Sequence, residues 1–380
     1  MKPSSRLTSI DLLRGIVIIL MALDHTRDFF APTAFDPLDW NAGSAAWFWT
    51  RWITHLCAPI FVLLAGMSAF LRAQRYDLQQ MSRYLLSRGL MLVVLEWTWV
   101  SFCWQFGFHF VLLQVIWAIG VAMMALSIFI WLPRWVLIGI AIALIVPHNL
   151  LDAWHAKDAG LWLRLWHQGG AISLGDDFRI IFAYPLMPWI GLMAAGYAMG
   201  PVMTWQPPRR DRFLLGAAIL LMLSFIILRS GNYYGDPDPW MPQGQGWLID
   251  LMAFIKVHKY PPSLLYLCIT VSVGLFALYL LERHVRQAWP VLLLFGRHPL
   301  LFYMLHLGLI HGFAWLYMQG MYGSQISFFS GTVNPAYKPA LLVAYIAWIF
   351  VMIVMAGILS AWQHRQQRNK ETRLQSSIAH

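Results

Sequence analysis

Two ionisable residues near the N-terminus have a spacing that suits chemistry across a membrane. His25 follows Arg14 by eleven residues. On an α-helix this is three turns plus about 20°, so both side chains lie on one face, about 16 Å apart along the axis. An arginine can hold a phosphate or carboxylate, and a histidine can take a proton from a hydroxyl or an amine. The spacing therefore predicts an anion-binding group and a general base on one helix.

Carboxylates accompany both of these residues. Asp11 lies three residues before Arg14 and Asp28 three residues after His25, which is close enough to pair on a helix face. Asp24 directly precedes His25. A structural interpretation stays open, in which Arg14 reaches toward the lipid head groups and His25 caps the end of the helix.

Other polar residues occur inside apolar stretches, where an ionisable group costs about 2.5–3.5 kcal/mol. Glu96 is one, and either a proton relay or a hydrogen bond between helices would explain it. Tyr303 and His306 share a helix face, shortly after Arg297 and His298. No histidine or cysteine spacing typical of a metal site is present, and neither are a GxSxG elbow or a Walker loop.

The composition indicates that these residues belong to a membrane protein. Apolar residues make up 59% of the 380 residues and charged residues 12%, and the mean hydropathy is +0.58. The sequence predicts an all-α, polytopic transmembrane helix bundle with about ten spans, eleven being the alternative. The predicted spans are 10–30, 52–71, 84–106, 109–132, 135–153, 180–203, 213–230, 262–282, 298–319 and 339–362.

The basic residues orient the predicted spans. With the N-terminus inside, most of the 27 Lys and Arg residues fall on the cytoplasmic side, as the positive-inside rule requires. Both termini are then cytoplasmic. Residues 1–362 form a single predicted domain and 363–380 a basic, disordered cytoplasmic tail, while Trp289 to Phe295 is too short to cross and lies at the interface or re-enters.

Two predicted outer loops carry further candidate residues. Residues 154–179 and 231–261 are rich in aromatic side chains, which either anchor the chain at the membrane interface or roof a site that opens outward. His55, at the outer start of the second span, is a candidate to line such a site.

Several motifs together resemble the bacterial branch of the heparan-α-glucosaminide N-acetyltransferase family, from residue 6 to about residue 360. The Arg14-x10-His25 spacing is also similar to a signature of the wider transmembrane acyltransferase superfamily. The motifs are Ser9-x-Asp11-x-x-Arg14-Gly15, Met21-x-x-Asp24-His25, Cys57-Ala58-Pro59-x-Phe61-x-x-x-Ala65-Gly66, Tyr184-Pro185-x-x-Pro188-Trp189-x-Gly191, Tyr234-Gly235-Asp236-Pro237, Lys259-Tyr260-Pro261-Pro262-Ser263 and Gly296-Arg297-x-Pro299-Leu300-x-x-Tyr303-x-x-His306.

The resemblance implies an acyltransferase that moves an acyl group, usually acetyl, from cytoplasmic acyl-CoA to an extracytoplasmic sugar hydroxyl or amine. It implies that His25 is the catalytic histidine, Arg14 its inner partner on the same helix, Asp24 or Asp28 its supporting carboxylate, and Arg297 and His298 the entry for the CoA phosphates. We further assign His306 to the catalytic group, Asp11 to donor binding, and acceptor binding to His55, Asp236, Lys259 and Tyr303. The histidine spacing indicates no metal.

One departure from the family pattern concerns the catalytic histidine. The heparan enzymes place it in the first outer loop, beyond an asparagine at the end of helix one. Here His25 occupies that asparagine position, and residues 29–50 contain no histidine. N- and O-acylation both stay open, as do a ternary mechanism and an acyl-His25 intermediate.

The expected location is a bacterial inner membrane, in contact with lipids and a sugar or glycan acceptor, without nucleic acid, and with a homodimer as one form of assembly. The alternative function is a proton-coupled transporter that uses His25, Glu96 and His306. A lipid-sensing or structural membrane protein is a third interpretation.

Overall fold

Most of the chain is helical in the computed structural model, which describes residues 8–154, 160–175, 177–284, 289–323, 334 and 336–378. Short π-helical and 3-10 segments extend some of the helices. The main elements in chain order are α1 (Thr8–Phe30), α2 (Ala45–Thr54), α3 (Cys57–Ala73), α4 (Leu78–Leu95), α5 (Ser101–Gln105), β1 (Phe110–Leu113), α6 (Val115–Phe129), α7 (Arg134–Ile145), α8 (Leu161–Leu163), β2 (Gly170–Leu174), β3 (Phe178–Phe182), α9 (Leu186–Met199), α10 (Pro207–Ser230), α11 (Trp247–Ile255), α12 (Leu264–His284), α13 (Pro290–Arg297), α14 (Pro299–Tyr322) and α15 (Leu341–Ile378).

Eight helical stretches within the described ranges are long and apolar enough to cross a membrane, and they coincide with eight of the ten predicted spans. The predicted all-α membrane bundle is therefore confirmed. The eight are Ala45–Ala73, Leu78–Gln105, Arg134–Trp154, Leu186–Thr204, Pro207–Ser230, Leu264–His284, Pro299–Tyr322 and Leu341–Asn369.

The other two predicted spans are also helical but differ from ordinary spans. The first, 10–30, is α1, which has 23 residues and carries the charged residues that the sequence analysis singled out. The fourth, 109–132, contains α6, which has only 15 residues. α1 carries too many charged residues to belong to the group of eight, and α6 is too short.

The structure adds a small sheet that the sequence analysis did not predict. Its strand order is β1-β3-β2, with β1 parallel and β2 antiparallel to β3. β1 occupies the start of the predicted fourth span, and β2 and β3 fall around the predicted outer loop 154–179, of which 155–159 and 176 lie outside the described residues. Val111, Leu113 and Phe182 form its buried apolar cluster.

The C-terminal segment also differs from its prediction. Residues from Gln363 onward were expected to be disordered, but α15 continues to Ile378. This segment contains no proline, and its 18 residues include four Gln and three Arg, both good helix formers. Residues 379 and 380 lie outside the described residues.

The chain folds as two compact units. The terminal unit comprises the described residues of Met1–Gly43 and Val285–His380, and the central unit comprises Ser44–His284. The single domain predicted for residues 1–362 stays a prediction.

The terminal unit consists of α1, α13, α14 and α15, and α1 contacts all three of the other helices. Its core includes Ile18 and the edge-to-face rings of Phe295 and Phe302, whose centroids lie 5.2 Å apart. Trp348 on α15 donates a hydrogen bond of 2.9 Å to the carbonyl of Ile19. These contacts fix the rotation of α1 and therefore which of its polar residues face α13 and α14.

The central unit consists of α2 to α12 and the sheet, with the main pairs α10–α12, α3–α9 and α4–α6. Single hydrogen bonds from polar side chains tie neighbouring helices together. Ser272 on α12 donates to the carbonyl of Ala218 on α10 at 2.7 Å, and Ser82 on α4 donates to the carbonyl of Ser127 at the end of α6 at 2.8 Å. Apolar side chains such as Trp189 and Phe48 fill the space between helices.

Candidate active site

The structure places Arg14 and His25 on one uninterrupted helix, as the spacing predicts. Both lie within α1, which runs from Thr8 to Phe30. Arg14 faces α13, and His25 contacts α14. The helix geometry separates the two positions by about 16 Å along the axis.

His25 pairs with a second histidine. Its Nδ1 lies 2.8 Å from Nε2 of His306 on α14, and the two rings are nearly parallel, with an interplanar angle of 21°. His306 is fully buried, whereas His25 is partly exposed. The two residues are 281 positions apart in sequence, so only the packing of α1 against α14 brings them together.

The surroundings of His306 fix the direction of this hydrogen bond. Its Nδ1 lies 2.9 Å from the carbonyl oxygen of Tyr303 and 3.1 Å from that of Phe302. A carbonyl oxygen only accepts, so Nδ1 of His306 carries the hydrogen, and in the neutral ring Nε2 is then an acceptor. His25 therefore donates from Nδ1, and its neutral ring carries the lone pair on Nε2. This is the tautomer that a general base needs when it acts through Nε2.

The carboxylates next to His25 pair with an arginine. Arg27 Nη1 lies 2.9 Å from Asp24, and Arg27 Nη2 lies 2.5 Å from Asp28. Arg27 is buried, so its charge needs these two partners. Asp24 and Asp28 were predicted to support His25 directly. The described contacts join both carboxylates to Arg27 and His25 to His306, and direct support of His25 by Asp24 or Asp28 stays a prediction.

The other end of α1 carries a cluster of opposite charges. Arg14 Nη1 donates to Asp11 at 2.9 Å and to the carbonyl of Gly296 at 3.1 Å. Arg297 Nε lies 3.9 Å from the second oxygen of Asp11. Asp11 is buried between the two arginines, and the Arg297 side chain is 42% exposed. The two arginines and one carboxylate leave a net positive charge that suits an anionic ligand.

Two glycines allow α1 and α13 to approach closely enough to form this cluster. A Cβ added to Gly296 would lie 1.8 Å from the carbonyl oxygen of Asp11, and one added to Gly15 would lie 2.1 Å from that of Leu292. Both obstacles are backbone atoms, which cannot move aside by changing a rotamer. The close contact explains why glycine occupies both positions.

We expect Gly296→Ala to separate α1 from α13 and to destabilise the protein by about 1–3 kcal/mol, the range for overpacking. The measurement is thermal unfolding of the purified protein in detergent. Gly312→Ala is the matched control, since a Cβ on that α14 glycine meets no atom within 4 Å. Equal melting temperatures for the two variants would contradict the close contact.

Two further predicted residues lie on or next to α14. His298 is the residue between α13 and α14, next to Arg297. Tyr303 is buried, and its ring centroid lies 5.4 Å from that of His306, so the predicted shared face is present.

His55, in the central unit, lies between α2 and α3 and is buried. Its ring packs edge to face on Tyr266 of α12, and the Tyr266 hydroxyl donates to the His55 carbonyl at 2.8 Å. The described contacts give His55 a part in joining α12 to the start of α3. Its predicted role in acceptor binding stays a prediction.

Asp236 and Lys259 belong to a connection that is tightly hydrogen-bonded. Asp236 accepts from the Ser263 hydroxyl at 2.7 Å and from the His258 amide at 2.9 Å. Burial raises the pKa of the Asp236 carboxyl, and these donors act in the opposite direction. Lys259 is buried, with its ammonium 5.1 Å from the centre of the Tyr260 ring. The contacts organise residues 231–263, and the predicted roles of both residues in acceptor binding stay predictions.

Arg229, which the sequence analysis did not single out, holds this connection at its centre. Its guanidinium lies 3.7 Å from Asp236 and donates to four backbone carbonyls. Three of these carbonyls are at the C-terminal end of α11, where they have no partner within the helix. The four acceptors are Ala253, Phe254, Lys256 and Asp238, at 2.6–3.3 Å.

Glu96 has the structural role that the sequence analysis left open. It is fully buried, and its Oε2 accepts a hydrogen bond of 2.9 Å from the amide of Trp117. Trp117 lies in the first turn of α6, where amides lack partners within the helix. Glu96 therefore caps α6.

The central unit also contains two buried histidines that were not predicted as site residues. His167 lies 2.8 Å from Asp152, and His148 joins the carbonyls of Ile145 and Pro262 at 2.6 and 2.8 Å. The second of these bonds ties the end of the fifth predicted span to the residues that precede α12. Among the residues that the structure describes, no group of three or more His, Cys, Asp or Glu could hold a metal ion.

The fold and the comparison with known proteins agree on the class. The eight apolar helices describe a multi-pass membrane protein. Residues 6–224 match the sequence model of the family described as heparan-alpha-glucosaminide N-acetyltransferase, catalytic. The match covers more than half of the chain, and the protein belongs to this family of membrane acyltransferases. A search of curated proteins found no match.

Proposed function

We propose that this protein transfers an acyl group, in the first instance acetyl, from cytoplasmic acyl-CoA to a sugar or glycan on the other side of a bacterial inner membrane. The observation that carries the proposal is the composition of α1, with an arginine-rich cluster at one end and a directed histidine pair at the other. Family membership supports the acyltransferase class.

The arginine-rich end suits the phosphates of the donor. Arg14 and Arg297 flank Asp11, and His298 is the residue directly after Arg297. The excess positive charge attracts a phosphate, and the exposed Arg297 side chain can donate hydrogen bonds to its oxygens. The pantetheine arm of CoA is long, so the phosphates and the thioester can occupy separate ends of one helix.

The histidine pair suits the chemical step. The acceptor oxygen or nitrogen attacks the thioester carbonyl carbon, and Nε2 of His25 takes the proton that the acceptor loses. The carbon–sulfur bond then breaks, and the proton passes from His25 to the departing sulfur to give the CoA thiol. His306 holds His25 in the reactive tautomer.

A covalent variant of this step uses the same atom. Nε2 of His25 attacks the thioester carbonyl, the CoA thiolate leaves, and the acyl group then passes from the imidazole to the acceptor. Detection of an acyl-histidine after mixing the protein with acetyl-CoA alone would distinguish this route from direct transfer. The acceptor decides between N- and O-acylation.

The transporter alternative needs a proton relay through His25, Glu96 and His306. Oε2 of Glu96 caps α6, whereas its Oε1 is buried without a hydrogen-bond partner among the described residues. The histidine pair is compatible with either function. Family membership is what favours the acyltransferase.

We expect Arg14→Ala to raise KM for acetyl-CoA by about 10- to 100-fold with a smaller change in kcat, because a hydrogen bond to a charged group contributes about 1.5–3 kcal/mol. The measurement is release of CoA thiol by the purified protein. Arg297→Gln should act in the same direction, with a smaller effect, since that side chain is more exposed.

An Arg209→Gln variant is the control, because Arg209 stacks on the Trp205 ring in the central unit. An Arg14→Ala variant with an unchanged KM would remove Arg14 from donor binding. If the wild-type protein neither binds acetyl-CoA nor releases its thiol, the acyltransferase proposal fails and the transporter becomes the better explanation.

A further inference from the structure

A cavity in the central unit lies where the start of α10 meets the end of α12. It has a volume of about 400 Å³. The residues lining it combine two arginines, one carboxylate, one tyrosine and apolar side chains: Pro207, Pro208, Asp211, Arg212, Leu215, Tyr279 and Arg283. None of these residues takes part in the proposed acyl transfer.

The two arginines come from different helices and converge on this cavity. Arg212 belongs to the first turns of α10, and its Nε donates to the carbonyl of Pro208 at 3.1 Å. Arg283 belongs to the last turn of α12, and its Nη1 donates to the Tyr279 hydroxyl at 2.8 Å. These bonds orient both guanidinium groups while leaving each with further donors, since an arginine has five. A phosphate is the anion that two such groups bind well.

A carboxylate lies beside these donors. Asp211 also lines the cavity, and its side chain is 20% exposed. Its Oδ1 is enclosed by protein and lies 4.0 Å from Arg210 Nε, so only the rest of the carboxylate can meet a ligand. Arg210 forms its closer ion pair with Glu282. The cavity therefore offers two cationic donors and one anionic acceptor, which matches a phosphate with an amine next to it.

An exposed apolar stripe leads away from the cavity along both helices. On α10, Ile219 and Leu223 follow Leu215 at intervals of four residues and are about half exposed. On α12, Phe276 is exposed and stacks on Tyr279, with ring centroids 6.1 Å apart. Both helices are apolar enough to span the membrane, so this stripe faces lipid chains. The charges lie at the helix ends, at the depth of the head groups.

We infer that the cavity binds a membrane phospholipid that carries an amine next to its phosphate. The phosphate lies between Arg212 and Arg283, the amine faces Asp211, and one acyl chain follows the stripe from Leu215 to Leu223. The positive-inside pattern predicts that this end of both helices faces the cytoplasm, so the lipid belongs to the inner leaflet.

The test is native mass spectrometry of the detergent-purified protein, titrated with phosphatidylethanolamine and with phosphatidylglycerol. We expect a preference for phosphatidylethanolamine, and the double variant Arg212→Gln/Arg283→Gln should bind it about tenfold more weakly. Asp211→Asn should remove the preference without abolishing binding. Arg209→Gln is the control, because its guanidinium stacks on Trp205 rather than lining the cavity.

Phosphoethanolamine, which has the same head group without acyl chains, distinguishes a lipid from a soluble ligand. Binding of phosphoethanolamine as tight as that of the lipid would overturn the lipid assignment. So would unchanged lipid binding by the double variant, once its lipid-free melting temperature is shown to match that of the wild type. A double variant that alters self-association and leaves lipid binding unchanged would assign this surface to a second copy of the chain.

Discussion

Replacing His25 by alanine is expected to lower the rate of acyl transfer by about 10³-fold, within the range of 10²–10⁴ that a general base contributes. His25 is partly exposed, and the hydrogen bond to His306 leaves the lone pair on Nε2. Alanine removes both the proton acceptor and the nitrogen that would carry an acyl group. The measurement is CoA thiol release at saturating acetyl-CoA, so that donor affinity does not enter.

Chemical rescue separates a missing base from a misfolded protein. Added imidazole should restore part of the activity of the His25→Ala variant by occupying the space that the side chain leaves. His311→Ala is the matched control, since His311 also lies on α14 but packs on the Phe29 ring. A His25→Ala variant that retains wild-type turnover would show that His25 is not the base.

His306 should behave as a positioning residue. His306→Leu removes the hydrogen-bond acceptor and should lower kcat by about tenfold, the effect of a single neutral hydrogen bond. His306→Gln keeps an acceptor oxygen and should recover most of that loss. Equal losses in the two variants would point to packing rather than to control of the His25 tautomer.

Replacing Arg229 by alanine is expected to cost about 3–5 kcal/mol of stability, the cost of removing one partner of a buried ion pair. Arg229 is 3% exposed, and its removal would leave Asp236 without its nearby positive charge. It would also leave the carbonyls at the end of α11 without their donors. The measurement is thermal unfolding in detergent.

Two further variants test the cause of this loss. Arg229→Lys keeps the charge but has one nitrogen in place of a planar fork, so it should recover only part of the stability. Adding Asp236→Asn to Arg229→Ala should lessen the loss, because the buried group is then neutral. An Arg229→Ala variant that melts at the wild-type temperature would rule out the central role of this arginine in residues 231–263.

Hydropathy was sufficient to locate most of the helices, because a span must be both long and apolar. It was not sufficient for the sheet. Phe110–Leu113 is an apolar run next to α6, and such a run does not reveal whether it forms a strand or the first turn of a helix. Its partner, Phe178–Phe182, is far away in sequence, and strand pairing over such distances has no local signal.

The helix periodicity placed Arg14 and His25 on one face and Tyr303 and His306 on another. It could not predict that His25 and His306 meet, because the packing of α1 on α14 determines that contact. At the other end of α1, glycines were the sequence signal for a close approach between helices. Gly15 and Gly296 mark the close approach of α1 and α13, yet a glycine alone does not identify its neighbour.

The sequence analysis did not identify two buried arginines, Arg27 and Arg229. Arg27 and Arg229 lie near the ends of their helices, where a basic residue is normally read as facing the lipid head groups. Arg27 had a detectable signal, since Asp24 and Asp28 are close enough along the helix to pair with it. Arg229 had none, because its main partners are backbone carbonyls more than twenty residues away.

Transfer across the membrane is most directly tested with inside-out membrane vesicles that contain the protein. The vesicles are loaded with a panel of amino and hydroxyl sugars, and acetyl-CoA labelled in its acetyl group is added outside. We expect labelled sugar in the lumen and an equal amount of CoA thiol outside, with neither formed in His25→Ala vesicles. Labelled sugar outside the vesicles, an empty lumen, or equal labelling with the His25→Ala variant would contradict acyl transfer along α1.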